Sequence, residues 1–224
     1  PPIVVPDSYP LLGDAPWVKS RAEYDALYAR SVAEPAAFWR ALALEHFHWD
    51  APPAADHHSA NFDVREGPVE STWFRGGTTN LCFNALDVHV AAGHGGQAAF
   101  LFEGNDPGRD GAVTYEQALK EVCRVANWLR AQGVGKGDAV ALYMPMVVEL
   151  PLAMLACARI GAVHSVVFGG FSAEALASRM EDCGARVLIT ASGVMRATKR
   201  VDLKAIADEA CALEACVLVP PAPA

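Results

Sequence analysis

The spacing of hydrophobic and polar positions changes near residue 98 of this chain. Beyond that point, short apolar runs alternate with segments in which apolar residues recur every three or four positions. The runs at 139–144, 162–168 and 186–190 predict buried β-strands, and the periodic segments between them predict amphipathic helices. Strict alternation of strands and helices favours βαβ units with right-handed crossovers. We therefore predict an α/β fold with a mostly parallel sheet, whose strand order the pattern does not reveal.

Local signals set several boundaries within this half. Thr114 and Gln117 form the pair expected of a capping box, and their helix should end at Gly133. Two further helices are expected at 145–161 and from Ser172 onward. Before and after these elements, we predict strands in "AAFLFEG", "GAVTY" and "CVLV" and a helix in "DLKAIADEAC".

The amino-terminal part has a different character. Two helices are expected, at 21–30 and 35–47, followed by an irregular connector at 50–59 and a loop with a short strand at 61–80. Pro35 suits a first helical position because proline lacks the amide hydrogen that this position does not use. We therefore expect a helical extension over residues 1–60 and an α/β region over 61–224.

Composition limits the function classes. The 224 residues carry a formal net charge of −8, with 52% hydrophobic and 20% charged residues. This balance is typical of a globular protein and argues against a nucleic-acid binder, which is usually basic. Any anion site must then be a local basic cluster. The apolar stretch at 143–168 includes Glu149 and Arg159, so we expect a buried helix and strand there and no membrane span.

The six cysteines give a compartment expectation. None of them forms a Cys-x-x-Cys pair, and none has a histidine or cysteine neighbour at zinc spacing. We therefore expect reduced thiols in an intracellular, reducing compartment and no metal site.

Two loops at the carboxyl edge of the predicted sheet carry the candidate chemistry, because ligands of such sheets bind there. Gly169 and Gly170 follow a strand and precede a helix, where glycines and open amide groups can receive a phosphate. The next loop supplies Arg196, Lys199 and Arg200. We expect the two loops to converge if their strands are neighbours. From the residues alone, a tight turn and a phosphate site both remain open.

Other motifs are weaker. "GGFSAE" lacks the third glycine of a dinucleotide fingerprint, although the basic residues leave an NADP-dependent oxidoreductase open as a disfavoured alternative. "RGGTTN" at 75–80 lacks the lysine and the context of a phosphate loop, so we interpret it as a structural turn. "HFHW" and the pair His57-His58 offer no third metal ligand. His164, in an apolar strand, is interpreted as a satisfied core histidine.

Longer stretches resemble one family. "WFRGGTTNLCFNALDVHV" and "YMPMVVELPLAMLACARIGAVHSVVFGGFSAEALASRM" are similar to the amino-terminal part of AMP-forming acetyl-coenzyme A synthetases, members of the adenylate-forming superfamily. The resemblance covers about 24–210. Such enzymes convert acetate and MgATP to acetyl-adenylate and diphosphate, and CoA then gives acetyl-CoA and AMP.

The resemblance also implies a site. The nucleotide end of CoA would be held by the "FGG" turn and the basic loop, which correspond here to Phe168, Gly169, Gly170, Arg196, Lys199 and Arg200. Two departures from the family pattern are Val88, in place of an arginine, and Ala197-Thr198, where glycine is common.

The family's ATP loop, acetate pocket, magnesium site and catalytic lysine would all follow this region. We therefore expect the chain to be the front of a longer enzyme, cut before the ATP loop, without catalytic residues and inactive without the rest. Small molecules and the remainder of the synthetase are the expected partners.

Two alternatives stay open at this point. The enzyme could act on propionate or another short-chain acid, or the chain could be a non-catalytic fragment that binds CoA. The expected location is the cytoplasm or the matrix of a plastid, mitochondrion or peroxisome.

Overall fold

The computed structural model describes residues 18–104, 108, 110–196, 199–213 and 217–219, with backbone alone at 196, 212–213 and 217–219. The chain divides into two compact units between Thr79 and Asn80. The division expected from the sequence, 1–60 and 61–224, remains a prediction.

In the first unit, the described residues 18–79 form two helices and a two-stranded antiparallel sheet. Ser20 caps the first helix by accepting a hydrogen bond from the amide of Glu23, and Pro35 begins the second helix as expected. The elements are α1 (Arg21–Ala33), α2 (Pro35–His46), β1 (Ser59–Asn61) and β2 (Glu70–Thr72).

The second unit contains the predicted βαβ pattern. Two π-helical turns, Phe83–Asp87 and Val90–His94, precede it. The strands are β3 (Ala98–Phe102), β4 (Gly111–Thr114), β5 (Ala139–Met144), β6 (Val163–Phe168), β7 (Val187–Thr190), β8 (Val194–Arg196), β9 (Lys199–Val201) and β10 (Val217–Val219). The helices are α3 (Tyr115–Ala131), α4 (Glu149–Ile160), α5 (Ala173–Cys183) and α6 (Leu203–Leu213).

A four-stranded parallel sheet with the order β10-β7-β5-β6 forms the centre of this unit. β5 is buried on both faces, and its residues alternate between two hydrophobic cores. Val140 and Leu142 pack with α3 and α4, whereas Ala141 and Tyr143 pack with α5 and α6. The predicted α/β class is therefore confirmed, and the strand order that the sequence left open is now defined.

Most predicted boundaries agree with the structure, and the capping box at Thr114 and Gln117 is present. The predicted start of α4 at residue 145 is wrong, because the helix begins at Glu149. Pro151 explains the difference, since a proline that lacks its amide hydrogen is tolerated in the first helical turn but not in the interior.

The segment after β7 is expected from the sequence to be a loop, and this expectation is also wrong. Val194–Arg196 and Lys199–Val201 pair as an antiparallel hairpin. The departure at Ala197-Thr198 lies outside the described residues.

Cys82, Cys123, Cys157 and Cys183 are free thiols, as expected, but Cys211 is disulfide-bonded, contrary to the expectation of reduced thiols. Burial raises the pKa of Cys157 to about 11. In the part of the chain that the structure describes, no helix combines the length and apolar character needed to span a membrane.

Candidate functional site

The turn after β6 and the hairpin after β7 do not follow neighbouring strands. β5 lies between β6 and β7 in the sheet. Because strands are spaced by a little under 5 Å, the two loops begin about 10 Å apart along the sheet edge. The adjacency on which their predicted convergence depended is therefore absent.

The chain nevertheless returns to the turn through the start of α6. A β-carbon added at Gly169 would lie 3.3 Å from the carbonyl oxygen of Met144 and 3.7 Å from both methyl carbons of Leu203. Leu203 is fully buried and comes two residues after the end of the hairpin. The backbone at Gly169 is thus packed between the end of β5 and the first residue of α6.

Local hydrogen bonds close the turn. The amides of Gly170 and Phe171 both donate to the carbonyl oxygen of Phe168, over 2.7 and 3.1 Å. Ser172 caps α5 by accepting from the amide of Ala175 at 3.4 Å. The glycine pattern predicts open amide donors here, but these three are already engaged within the chain.

A carboxylate also lies at the start of α5. The hydroxyl of Ser172 and the amide of Glu174 itself both bond the Glu174 side chain, and they lower the pKa of this carboxyl group. A negative charge is favourable at the amino end of a helix, where unpaired amides produce a positive potential. This anion is not among the groups predicted from the sequence, although an acidic residue in the first helical turn after an N-cap serine is a recognisable signal.

Aromatic and cationic side chains form a row beside the turn. The rings of Phe168 and Phe171 meet edge to face with centroids 5.9 Å apart. The guanidinium of Arg179 lies 4.4 Å from the centroid of Phe171 and donates to the carbonyl oxygen of Ala175. Phe168 is 60% exposed, so much of its side chain lies at the surface. The four-residue spacing of 171, 175 and 179 is the signal that could have revealed this row.

Two buried hydrogen bonds connect the turn with the strands behind it. The hydroxyl of Tyr143 on β5 donates to the carbonyl oxygen of Phe171 at 2.8 Å. The hydroxyl of Thr190, the last residue of β7, donates to the carbonyl oxygen of Tyr143 at 2.7 Å. Tyr143 and Thr190 are both fully buried. Nothing in the local sequence could have indicated these long-range contacts.

The hairpin separates two of the predicted basic residues. Its register pairs Arg196 with Lys199 and Met195 with Arg200. Because successive strand residues point to opposite faces, Lys199 and Arg200 project from different sides of the hairpin. Arg200 runs across Gly193, where an added β-carbon would come within 3.2 Å of its Nε atom. Lys199 and Arg200 are both exposed.

The glycine pair Gly76-Gly77 forms a structural turn. Gly76 has a φ of +76°, and the amide of Gly77 donates to the carbonyl oxygen of Phe74 at 2.9 Å. The Arg75 side chain bonds Asp56 at 3.2 Å and Ser59 at 2.6 Å. The guanidinium of Arg75 is thus bound by side chains of the first compact unit.

His57 and His164 differ in the hydrogen bonding of their ring nitrogens. His57 is buried, and its ring nitrogens lie 3.2 and 3.0 Å from the carbonyl oxygens of Ala55 and Ala36. His164 lines an apolar cavity of about 360 Å³ that Tyr115 and Met154 also line. Its Nδ1 atom is buried and has no hydrogen-bond partner among the described residues. The interpretation of His164 as a satisfied core histidine is therefore wrong for this atom.

The motif that contains Val88 has a structural role in this unit. Asp87 forms a bidentate ion pair with Arg159 of α4, at 2.8 and 2.9 Å, and raises the pKa of that guanidinium. Asn80 adds hydrogen bonds to the carbonyl oxygens of Ala158 and Arg159. Among the described residues, no group of three or more acidic, histidine or cysteine side chains is arranged to hold a metal ion.

Two family models match the chain. The model described as AMP-binding enzyme matches residues 88–223, and the model described as acetyl-coenzyme A synthetase N-terminus matches residues 24–85. Together they extend over both compact units and meet close to the boundary at Thr79 and Asn80.

Similar proteins carry consistent names. The chain is 51% identical over 193 residues to an acetyl-coenzyme A synthetase, chloroplastic/glyoxysomal, of Arabidopsis thaliana, covering 86% of this chain and 26% of that protein. It is 45% identical over 223 residues to an acetyl-coenzyme A synthetase of Drosophila melanogaster, covering 95% of this chain and 33% of that protein. A relative from Beijerinckia indica subsp. indica is 48% identical over 191 residues, covering 85% of this chain and 29% of that protein. The chain thus spans about a quarter to a third of the length of these relatives.

Proposed function

We propose that this chain, which belongs to the AMP-binding enzyme family, is the amino-terminal portion of an AMP-forming acetate–CoA ligase. The observation that carries the proposal is the continuous similarity to proteins named acetyl-coenzyme A synthetase, at 45–51% identity across both units. The match of residues 24–85 to the acetyl-coenzyme A synthetase N-terminus supports this choice within the larger family.

The proposed enzyme converts ATP, acetate and CoA to acetyl-CoA, AMP and diphosphate through an acetyl-adenylate. In this proposal the groups that bind ATP, magnesium and acetate belong to the rest of the enzyme. This chain contributes part of the CoA site and no catalytic residue. Its other partner is the remainder of the synthetase, which completes the domain, and nucleic acids and membranes are not among the proposed partners.

The proposed CoA site combines the turn after β6 with the hairpin after β7. Phe168, Gly169 and Gly170 would receive the nucleotide end of CoA, and the largely exposed side chain of Phe168 would contact its base. Arg196, Lys199 and Arg200 would meet its phosphate groups. Charge supports this assignment, because three cations within five positions of the sequence favour anionic ligands locally on a chain of net charge −8.

The hairpin register refines the assignment. Lys199 is paired with Arg196 across the two strands of the hairpin. Arg200 lies on the opposite face of the hairpin, and its side chain passes close to Gly193. We therefore assign the phosphate contacts first to Arg196 and Lys199. Arg200 has a second role, in shaping the hairpin against Gly193.

The proposed location is the cytoplasm or an organelle matrix. Support comes from one relative, whose name places it in chloroplasts or glyoxysomes.

The test uses the complete enzyme. Acetate-dependent exchange of diphosphate into ATP measures the adenylate step, and CoA-dependent formation of acetyl-CoA measures the second step. We expect both activities, with acetate preferred over propionate, and Arg196→Ala should raise the KM for CoA about tenfold while those for ATP and acetate stay within twofold. Absence of acetate-dependent exchange, or preference for propionate, would refute the proposed ligase or its substrate.

A further inference from the structure

We propose that Tyr143 is a positioning residue for CoA: its buried hydroxyl holds the turn at 168–172 in the conformation that receives the nucleotide. The proposal rests on the proposed ligase function and assigns a part of the site that lies on a strand, behind the loops. Tyr143 does not itself contact the ligand in this account and acts through Phe171.

A hydrogen bond between β5 and the turn is the first support. The Tyr143 hydroxyl donates to the carbonyl oxygen of Phe171 at 2.8 Å, across 28 residues of sequence. The bonds that close the turn itself run from Gly170 and Phe171 to Phe168 and are local. Local bonds set the shape of a turn, whereas a bond to the neighbouring strand also sets its position relative to the sheet.

Burial is the second support. Tyr143 is fully buried among the residues that pack with α5 and α6. A buried phenol needs a hydrogen-bond partner, whereas phenylalanine would fill the same space without that requirement. The hydroxyl therefore adds a directional contact with the turn to the packing that the ring provides.

The connection to the other loop is the third support. Thr190 ends β7, leads into the basic hairpin, and donates to the carbonyl oxygen of Tyr143 at 2.7 Å. The two parts of the proposed CoA site follow strands that are separated by β5. Tyr143 bonds the turn through its hydroxyl and the end of β7 through its carbonyl oxygen, so the geometry gives the two strands that lead into the loops a common reference point.

The aromatic row is the fourth support. Phe171 carries the carbonyl oxygen that Tyr143 holds, and its ring packs between Phe168 and the Arg179 guanidinium. Fixing the backbone of Phe171 thus also fixes the ring against which the exposed Phe168 rests. Loss of the hydroxyl should loosen both the backbone and the aromatic surface offered to the nucleotide.

The experiment is Tyr143→Phe in the complete enzyme, with Tyr115→Phe as the matched control. Tyr115 stands at the start of α3, where its ring contacts His89. We expect Tyr143→Phe to raise the KM for CoA two- to tenfold, the loss that follows from one buried hydrogen bond. Acetate-dependent exchange of diphosphate into ATP should stay within twofold of the parent enzyme, and Tyr115→Phe should change neither quantity.

A second readout is independent of the ligase activity. Amide hydrogen exchange at 169–172 should become faster in Tyr143→Phe and remain unchanged in Tyr115→Phe. Thr190→Val, which removes the other hydrogen bond, should raise the KM for CoA in the same direction and covers the case in which Tyr143→Phe fails to fold.

The outcomes separate the two proposals. An unchanged KM for CoA, or a parallel loss of both partial reactions, would overturn the positioning role while leaving the ligase assignment intact. If the parent enzyme shows no acetate-dependent exchange, the ligase assignment fails. In that case the exchange rates at 169–172 alone decide whether Tyr143 orders the turn.

Discussion

Two glycine pairs in this chain have similar sequences and different surroundings. Gly76-Gly77 follows an arginine and precedes two threonines, as a phosphate loop would, yet Arg75 is engaged by Asp56 and Ser59. Gly169-Gly170 has no cation beside it in sequence, but it follows a parallel strand at the ligand-binding edge of a sheet. Position in the fold, more than the glycines themselves, distinguishes a structural turn from a candidate site.

What lies next to each glycine differs as well. A β-carbon at Gly77 would come within 2.6 Å of the Trp49 ring, and Trp49 is held by a 2.8 Å bond to the carbonyl oxygen of Ala43. At Gly169 the closest atom would be the Met144 carbonyl oxygen, at 3.3 Å. The first glycine is required by packing, whereas the second leaves enough room for a small displacement.

The largest expected effect is on stability, at the first pair. Gly77→Ala must displace the fixed Trp49 ring, so it should lower the free energy of unfolding by about 2 kcal/mol. The measurement is the midpoint of urea denaturation of the complete enzyme. Gly96→Ala is the control, because a β-carbon there meets no atom within 4 Å. Equal midpoints for the two variants would contradict the packing role of Gly77.

The next effect is on binding, at the second pair. Gly169→Ala should shift the turn away from Met144 by a few tenths of an ångström, and we expect the KM for CoA to rise about threefold to tenfold. The urea midpoint should change less than that of Gly77→Ala. If Gly169→Ala lowers stability most and leaves the KM for CoA unchanged, the two glycine pairs have been assigned the wrong way round.

The smallest effect concerns the anion at the start of α5. Glu174→Gln removes a charge that opposes an incoming phosphate, so the KM for CoA should fall by about twofold. The control is Glu181→Gln, near the other end of the same helix. A rise in the KM for CoA would instead mean that the carboxylate supports the site.

Titration provides a second check on Glu174. Its pKa is lowered in the folded protein, so the stability that it contributes is present above its usual pKa and is lost as the pH falls through the lowered value. The parent enzyme should therefore lose slightly more stability than Glu174→Gln on acidification below about pH 4.5.

Much of the fold follows from local sequence. β5 and α3 have the predicted ends because a buried apolar run and a capping box both lie in consecutive residues. The order β10-β7-β5-β6 is not local, because each strand is apolar and their pairing depends on residues far apart in sequence. The paired strands Val194–Arg196 and Lys199–Val201 escape prediction for a different reason, since each has only three residues, too few for a clear alternating pattern.

The candidate site divides in the same way. Glycine after a strand and a group of three cations are visible in the sequence, and these local signals make Gly169 and Lys199 candidates for the proposed site. The role of the Tyr143 hydroxyl could not be predicted from such local signals, because its hydrogen-bond partner, Phe171, is 28 residues distant and lies in the turn after a different strand. The start of α4 could have been predicted from the sequence, because Pro151 fits only in the first turn of a helix and therefore requires a start close to residue 149.

The most direct test is amide hydrogen exchange of the complete enzyme with and without CoA. We predict slower exchange at 168–172 and at 194–201 in the presence of CoA, and unchanged exchange at 75–80. Dephospho-CoA should protect 194–201 less than CoA does, because it has lost the phosphate that the cations are proposed to bind. Protection at 75–80, or unchanged exchange at both 168–172 and 194–201, would contradict the assignment of the CoA site to the second glycine pair.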